Sequence, residues 1–203
     1  MTDRSASRHP LEESVAAAVE AGVDWVQLRE RELDTDTLIA LGDAVTRAAR
    51  HAAAGRAVRI LVNRRCDVAL AIGADGVHLG FDAIDPETAR RLLGSEAWVG
   101  VSSHSAADVR EAEKRGASYV HLAPIFPPRS KPPSGPALGI EGLADATVGT
   151  LPVLAQGGID ASNAGEVVAA GAAGVAVTGS ILQAVDPRAA TAAIRNALDR
   201  GRS

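Results

Sequence analysis

Leu151-Pro152-Val153-Leu154-Ala155-Gln156-Gly157-Gly158-Ile159-Asp160 and Gly174-Val175-Ala176-Val177-Thr178-Gly179-Ser180-Ile181 are two apolar runs of strand length. Each breaks at glycine and passes into a helix-like segment. Residues 161–171 between them read as one crossover helix, so the pair is strand–helix–strand–helix. Glycine at a strand end lets a ligand approach bare N–H groups, and a helix N-terminus adds partial positive charge. Tight turns alone also place glycine there. Two such junctions in consecutive units near the end of a repeating βα chain favour phosphate. In a (β/α)8 barrel the loops after the last two strands are the usual phosphate site.

The rest of the chain has the same rhythm. Helices are expected over 11–21, 34–53, 65–72, 86–93, 105–115, 139–147 and near 187–200. Strands are expected over 24–29, 57–62, 76–79, 97–101 and 118–123, besides the two runs above. Gly22, Gly55, Gly94, Gly116 and Gly171 follow helices, where C-caps belong. Alternation of this kind implies a parallel sheet with helices outside, hence a TIM barrel in one domain, residues 1–203. Seven complete strands are visible. Met1-Thr2-Asp3-Arg4 reads as the tail of another, so either the first strand is rudimentary or it is truncated and the true start lies upstream. A doubly wound open sheet is the alternative, but it places a phosphate site in the last two βα loops less naturally.

Composition narrows the function. The 203 residues can bury a real core, and 46% hydrophobic with 23% charged is ordinary globular usage. Aromatics are only 2%, so Ala, Val, Ile and Leu must fill that core. A net charge of −4 gives no reason to propose nucleic acid or an anionic membrane. Cys66 is the single cysteine, which excludes an internal disulfide and a cysteine-rich zinc site. No signal peptide or membrane-length apolar run is present, so a cytoplasmic address is expected. Self-association into a homo-oligomer stays open.

Several residues could do chemistry at the strand ends. Gln27, Arg29 and Arg31 alternate with period two, and two arginine forks beside an amide suit a diphosphate. Glu30 and Glu32 interleave with them and could neutralise both arginines on the surface; spacing alone does not choose. One serine of Ser102-Ser103-His104-Ser105 is expected to cap the following helix, and Ser102 is the better ligand candidate. Segment 124–138 is proline-rich and carries Arg129, Ser130 and Lys131, a stiffened loop that reads as a lid over an anion. His78 and His104 lie near the expected site, whereas His121 reads as a structural strand residue.

Together, Gln27-Leu28-Arg29-Glu30-Arg31, Val62-Asn63-Arg64-Arg65, Ala74-Asp75-Gly76-Val77-His78-Leu79-Gly80, Gly100-Val101-Ser102-Ser103-His104-Ser105, Pro124-Ile125-Phe126 to Lys131, and Gln156-Gly157-Gly158-Ile159 resemble thiamine phosphate synthases and their TenI-type relatives. The resemblance is collinear over essentially the whole chain. It implies a TIM barrel with a thiazole phosphate on Gly157, Gly158, Gly179 and Ser180. In the synthase branch it implies a pyrimidine diphosphate held by Gln27, Arg29, Arg31, Asn63, Ser102 and Lys131, with Mg2+ assisting departure of the diphosphate.

Two positions depart from that pattern. The synthase branch has aspartate after the asparagine, where this chain has Arg64, and a second aspartate where it has Ala83. Magnesium needs hard carboxylate oxygens, so no metal ligand is assigned. Asp82 and Asp67 stand nearby but not at the matching places. Arg64 could take over part of the metal's charge on the diphosphate. The TenI-type branch, which includes thiazole tautomerases, carries a histidine where this chain has Pro124. His104 or His78 would then have to take the proton-transfer role, and His104 and Lys131 are the expected catalytic residues. The missing carboxylates put a TenI-like, tautomerase-type enzyme first. A thiamine phosphate synthase is the alternative, and a non-catalytic ligand-binding barrel the third reading.

Overall fold

The computed structural model describes residues 1–80, 83–127 and 136–202. Along the chain run α1 (Leu11–Glu20), β1 (Trp25–Leu28), α2 (Thr35–Ala52), β2 (Arg59–Asn63), α3 (Cys66–Ala71), β3 (Gly76–Leu79), α4 (Pro86–Leu93) and β4 (Trp98–Ser103). They are followed by α5 (Ala106–Lys114), β5 (Tyr119–Leu122), α6 (Gly139–Ala146), β6 (Val153–Gln156), α7 (Ala164–Ala169), β7 (Gly174–Ala176), α8 (Gly179–Leu182) and α9 (Pro187–Gly201). The expected βα alternation is present throughout, with boundaries within a few residues of those read from the periodicity. The five glycines after helices all have positive φ, the conformation a helix C-terminus asks of the residue that ends it.

The chain divides into two compact units. The first comprises Met1–His78, Ala89–Trp98 and Thr178–Ala192; the second comprises Leu79–Thr88, Val99–Val177 and Ala193–Ser203. In the first, β1 pairs with β2 and β2 with β3, all parallel. Its core is aliphatic, with Val19, Val45, Ile60, Val62 and Val68 at 1% exposure or less. Helix α2 forms because Asp34 accepts the Thr37 N–H at 3.0 Å, and because Leu38, Gly42, Val45, Thr46 and Ala49 make one buried stripe. Gly42 permits close approach: a Cβ there would stand 3.1 Å from Cδ2 of Leu28.

In the second unit β4, β5, β6 and β7 pair in that order, again parallel. Every residue of β5 is buried, as expected of a parallel strand covered on both faces. Tyr119 lies across Gly100, where any Cβ would enter its ring. Helix α7 starts later than its pattern predicts. Asp160 Oδ1 takes both the N–H and the hydroxyl of Ser162, and the Asn163 amide turns back to donate to the Gly158 carbonyl at 3.0 Å. These short polar side chains hold a turn that competes with the helix.

The rudimentary first strand is a single rung. The Thr2 N–H donates to the Gln27 carbonyl at 2.8 Å, and the Thr2 hydroxyl accepts the Arg29 N–H at 2.8 Å.

Candidate functional site

Two strand boundaries differ from expectation and change how the site is built. β1 ends at Leu28, so only Gln27 of the Gln27/Arg29/Arg31 series lies on the strand. β2 extends to Asn63, which places its amide on the strand rather than beyond it. Leu28 faces Gly42 of α2, so Gln27 faces the opposite side. Register then aligns Gln27 with Leu61 and Asn63 with His78. Because side chains alternate, Gln27, Asn63 and His78 share one face at the C-terminal ends of their strands.

That face is polar and buried. Gln27 is 4% exposed and donates from Nε2 to Asn63 Oδ1 at 3.3 Å. Its Oε1 is buried without a hydrogen-bond partner among the described residues. Such an atom costs about 1–3 kcal/mol unless something pairs with it. Burial, and then the charge of Arg29, drive the His78 imidazole down to about 3. His78 is therefore neutral at physiological pH.

The glutamates interleaved with the two arginines are engaged by Arg4. The Glu30 carboxylate accepts the Arg4 backbone N–H at 3.0 and 3.2 Å, and Glu32 pairs with the Arg4 guanidinium at 3.1 Å. Among the described residues neither Arg29 nor Arg31 makes an ion pair at hydrogen-bonding distance. Burial, and then Arg31, push the Arg29 guanidinium below its ordinary range; Asp3, Glu30 and Glu32 offset this in part. Two neighbouring cations of this kind favour an anion between them.

The Arg64 backbone is left-handed, with φ +67°, and its N–H donates to the His78 carbonyl at 2.9 Å. A long side chain is uncommon in that conformation, which Asn and Asp adopt more readily. The surroundings do not fit magnesium. Arg64 and Ala83 stand where carboxylates would be needed, and Asp67 is engaged by Arg65 at 2.6 and 2.8 Å. Among the described residues no group of three His, Cys, Asp or Glu could hold a metal. Asp82 lies outside the described residues.

Gly179 and Ser180 open α8. Gly179 has no positive φ, and the nearest atoms a Cβ there would meet are those of the Gln183 amide, at 3.1 Å. The far end of the same short helix is held by Arg8, whose N–H donates to Leu182 O at 3.0 Å and whose Nε donates to Gln183 O at 2.6 Å. A cleft of roughly 470 Å³ in the first unit lies at the other strand ends, among Arg59, Asp75, Gly76, Glu96 and Trp98. None of the candidate residues lines it.

In the second unit β4 runs on to Ser103, so Ser102 is a strand residue rather than the first loop residue. Ser102 aligns with His121, whose ring is buried 5.4 Å from that of Tyr119. Ser105 is the helix cap, accepting the Asp108 N–H at 3.1 Å. His104 hydrogen-bonds through Nδ1 to the Ala123 carbonyl. Gly157 and Gly158 have φ +98° and +63°. A Cβ on Gly158 would come within 2.7 Å of Phe126 Cβ and Pro127 O. Glycine is thus required there by the turn itself, with or without a ligand. Lys131, with Arg129 and Ser130, lies outside the described residues. Sequence reasoning missed Asn163, Thr2 and Arg4; only the Asn163 position, shortly after a Gly-Gly turn, carried a local signal.

Comparisons with known proteins point to one family. The family model described as thiamine monophosphate synthase matches residues 1–181. The thiamine-phosphate synthase of Roseiflexus sp. (strain RS-1) is 42% identical, over 98% of this chain and 85% of that protein. That of Moorella thermoacetica is 38% identical, over 100% and 95%. The solved thiamine phosphate pyrophosphorylase from Pyrococcus furiosus superposes with a TM-score of 0.88 at 32% identity, covering 100% of this chain and 95% of that one. A 3-hexulose-6-phosphate synthase, at 22% identity and TM-score 0.65, shares the fold alone. The fold class is accordingly α/β of TIM-barrel type. The relatives' names favour the synthase alternative over the tautomerase-type reading that the missing carboxylates had put first. No described helix is long and apolar enough to cross a membrane. The chain belongs to the thiamine monophosphate synthase family, a family of thiamine-biosynthesis enzymes.

Proposed function

We propose that this protein is a thiamine phosphate synthase, a transferase joining a hydroxymethylpyrimidine diphosphate to a thiazole phosphate. The observation that carries this reading is the pair Arg29 and Arg31, whose interleaved glutamates are both taken up by Arg4. Two adjacent arginines left for an external anion suit a diphosphate better than a monophosphate.

In the reaction the C–O bond between the pyrimidine methylene and the diphosphate breaks, and the diphosphate departs with the bonding electrons. The thiazole nitrogen then donates its lone pair to the pyrimidine-methyl cation, forming the new C–N bond. Arg29 and Arg31 neutralise the departing diphosphate, and stabilising charge as it develops is where such groups accelerate a reaction. Gln27 Oε1 and the Asn63 amide supply hydrogen bonds that orient the pyrimidine substrate, with Ser102 and Lys131 as further proposed contacts. Neutral His78 adds no competing positive charge to the face it shares with Gln27 and Asn63. In the first unit Gly179 and Ser180, and in the second Gly157 and Gly158, are the proposed phosphate contacts for the thiazole. The donors around Arg64 do not fit magnesium, and none of these roles depends on it.

The deciding experiment is an assay for thiamine phosphate from both substrates, run with magnesium and with a chelator. Product under either condition, lost in Arg29→Ala, supports the synthase. Absence of product under both conditions overturns it; aromatisation of a thiazole carboxylate phosphate would then restore the tautomerase reading, and ligand binding alone the non-catalytic one.

A further inference from the structure

We infer that His104 is a positioning residue, whose imidazole pins the Ala123 carbonyl and so seats Pro124–Phe126 against the Gly157–Gly158 turn. A carbonyl oxygen can only accept, so the ring donates from Nδ1. The backbone that carries the ring is itself held. The His104 N–H donates to Asp108 Oδ2 at 2.9 Å, while the Asp108 N–H donates to Ser105 Oγ at 3.1 Å. The first turn of α5 therefore sets where the ring can reach.

Ala123 is held on both of its backbone polar groups by consecutive residues. Its N–H donates to the Ser103 carbonyl at 3.0 Å, and its C=O accepts from His104. Pro124, Ile125 and Phe126, next in the chain, pack directly on the glycine turn. The Ile125 N–H donates to Gln156 O at 2.9 Å and the Phe126 N–H to Gly157 O at 3.1 Å. A Cβ on Gly157 would lie 3.0 Å from Pro124 Cα. The two backbones leave little room between them even for a methyl group, so a shift of the Ala123 peptide is transmitted to the turn. The side chain thus acts on the glycine amides through Ala123 and Pro124, a role different from the proton transfer expected of it from sequence.

The activity arm of the test rests on the synthase reading; the exchange arm does not. His104→Ala removes the donor, whereas His104→Asn restores an N–H donor at the place of Nδ1. Amide exchange at Ile125 and Phe126 is measured by NMR relative to Val120 in the same sheet. In His104→Ala both amides should exchange about tenfold faster, the scale of one lost hydrogen bond. In His104→Asn they should match the parent. Thiamine phosphate formation should follow the same order, with the pH–rate profile of His104→Asn unchanged. Parent-like exchange in His104→Ala overturns the proposal. So does a folded His104→Asn that keeps both amides protected yet has lost turnover, since that pattern belongs to a proton-transfer group. If His104→Ala fails to fold, His104→Asn alone decides by its exchange. If the parent makes no thiamine phosphate, the synthase reading falls while the exchange pattern still decides the role of His104.

Discussion

Glu30 turns its carboxylate onto the backbone N–H of Arg4, at 3.0 and 3.2 Å, although it stands between Arg29 and Arg31 in the chain. Side-chain direction is the reason. The Glu30 side chain, at 5% exposure, is turned into the N-terminal segment, where it meets Arg4. The arginines keep their charge for something else.

Arg29→Ala and Arg31→Ala should each weaken binding of a diphosphate analogue by about 1.5–3 kcal/mol, the scale of hydrogen bonds to charged groups. Glu30→Ala should instead lower unfolding stability by about 1–3 kcal/mol, because it strands the Arg4 N–H. Calorimetry and denaturant titration separate the two effects. Equal diphosphate affinity in the parent and both arginine variants would place the anion elsewhere.

Acid should destabilise the protein through His78. Its folded-state value near 3 lies below the ordinary 6.5, so between those limits the unfolded chain binds the extra proton. The stability contributed by a neutral His78 is complete above about pH 6.5 and declines as pH falls toward 3, by at most about 1.4 kcal/mol per pH unit. Urea unfolding of the parent and of His78→Gln from pH 7 to pH 5 measures this. The variant should show the shallower dependence.

Arg64→Asp combined with Ala83→Asp should create magnesium-dependent binding of a diphosphate analogue beyond anything in the parent. Two carboxylates and the bound diphosphate supply hard oxygen ligands. Aspartate also tolerates the left-handed backbone at φ +67° better than arginine does. Calorimetry with and without magnesium reads the difference. Strong magnesium-dependent binding in the parent would contradict the expectation.

The two glycine junctions should respond differently to a methyl group. Gly158→Ala forces a Cβ to 2.7 Å from Phe126 and Pro127 at φ +63°, which should cost roughly 2 kcal/mol or more of stability. Gly179→Ala comes nearest to the movable end of Gln183, at 3.1 Å, so its stability should stay within about 1 kcal/mol of the parent. Gly179→Asp should keep the fold and lose the thermal shift that a phosphate ligand gives the parent. Retention of that shift would remove Gly179 from the site.

Much of the architecture was legible in the residues alone. Apolar periodicity located the strands and helices, glycines marked the helix ends, and the Gln27, Asn63 and Gly157–Gly158 motifs pointed to the strand ends where they stand. These signals are local: a strand or helix reports its period within a few residues, and a left-handed turn demands its glycine wherever it occurs. Tertiary structure alone decided the partners. It joined Glu30 to Arg4 rather than to its neighbours, laid Thr2 along β1, set His104 on Ala123, and made Gly158 obligatory by pressing Phe126 and Pro127 against it. Each of these is a short-range contact between residues distant in the chain. Its direction depends on strand register and on side-chain alternation at a strand end, which no local pattern of residue types specifies.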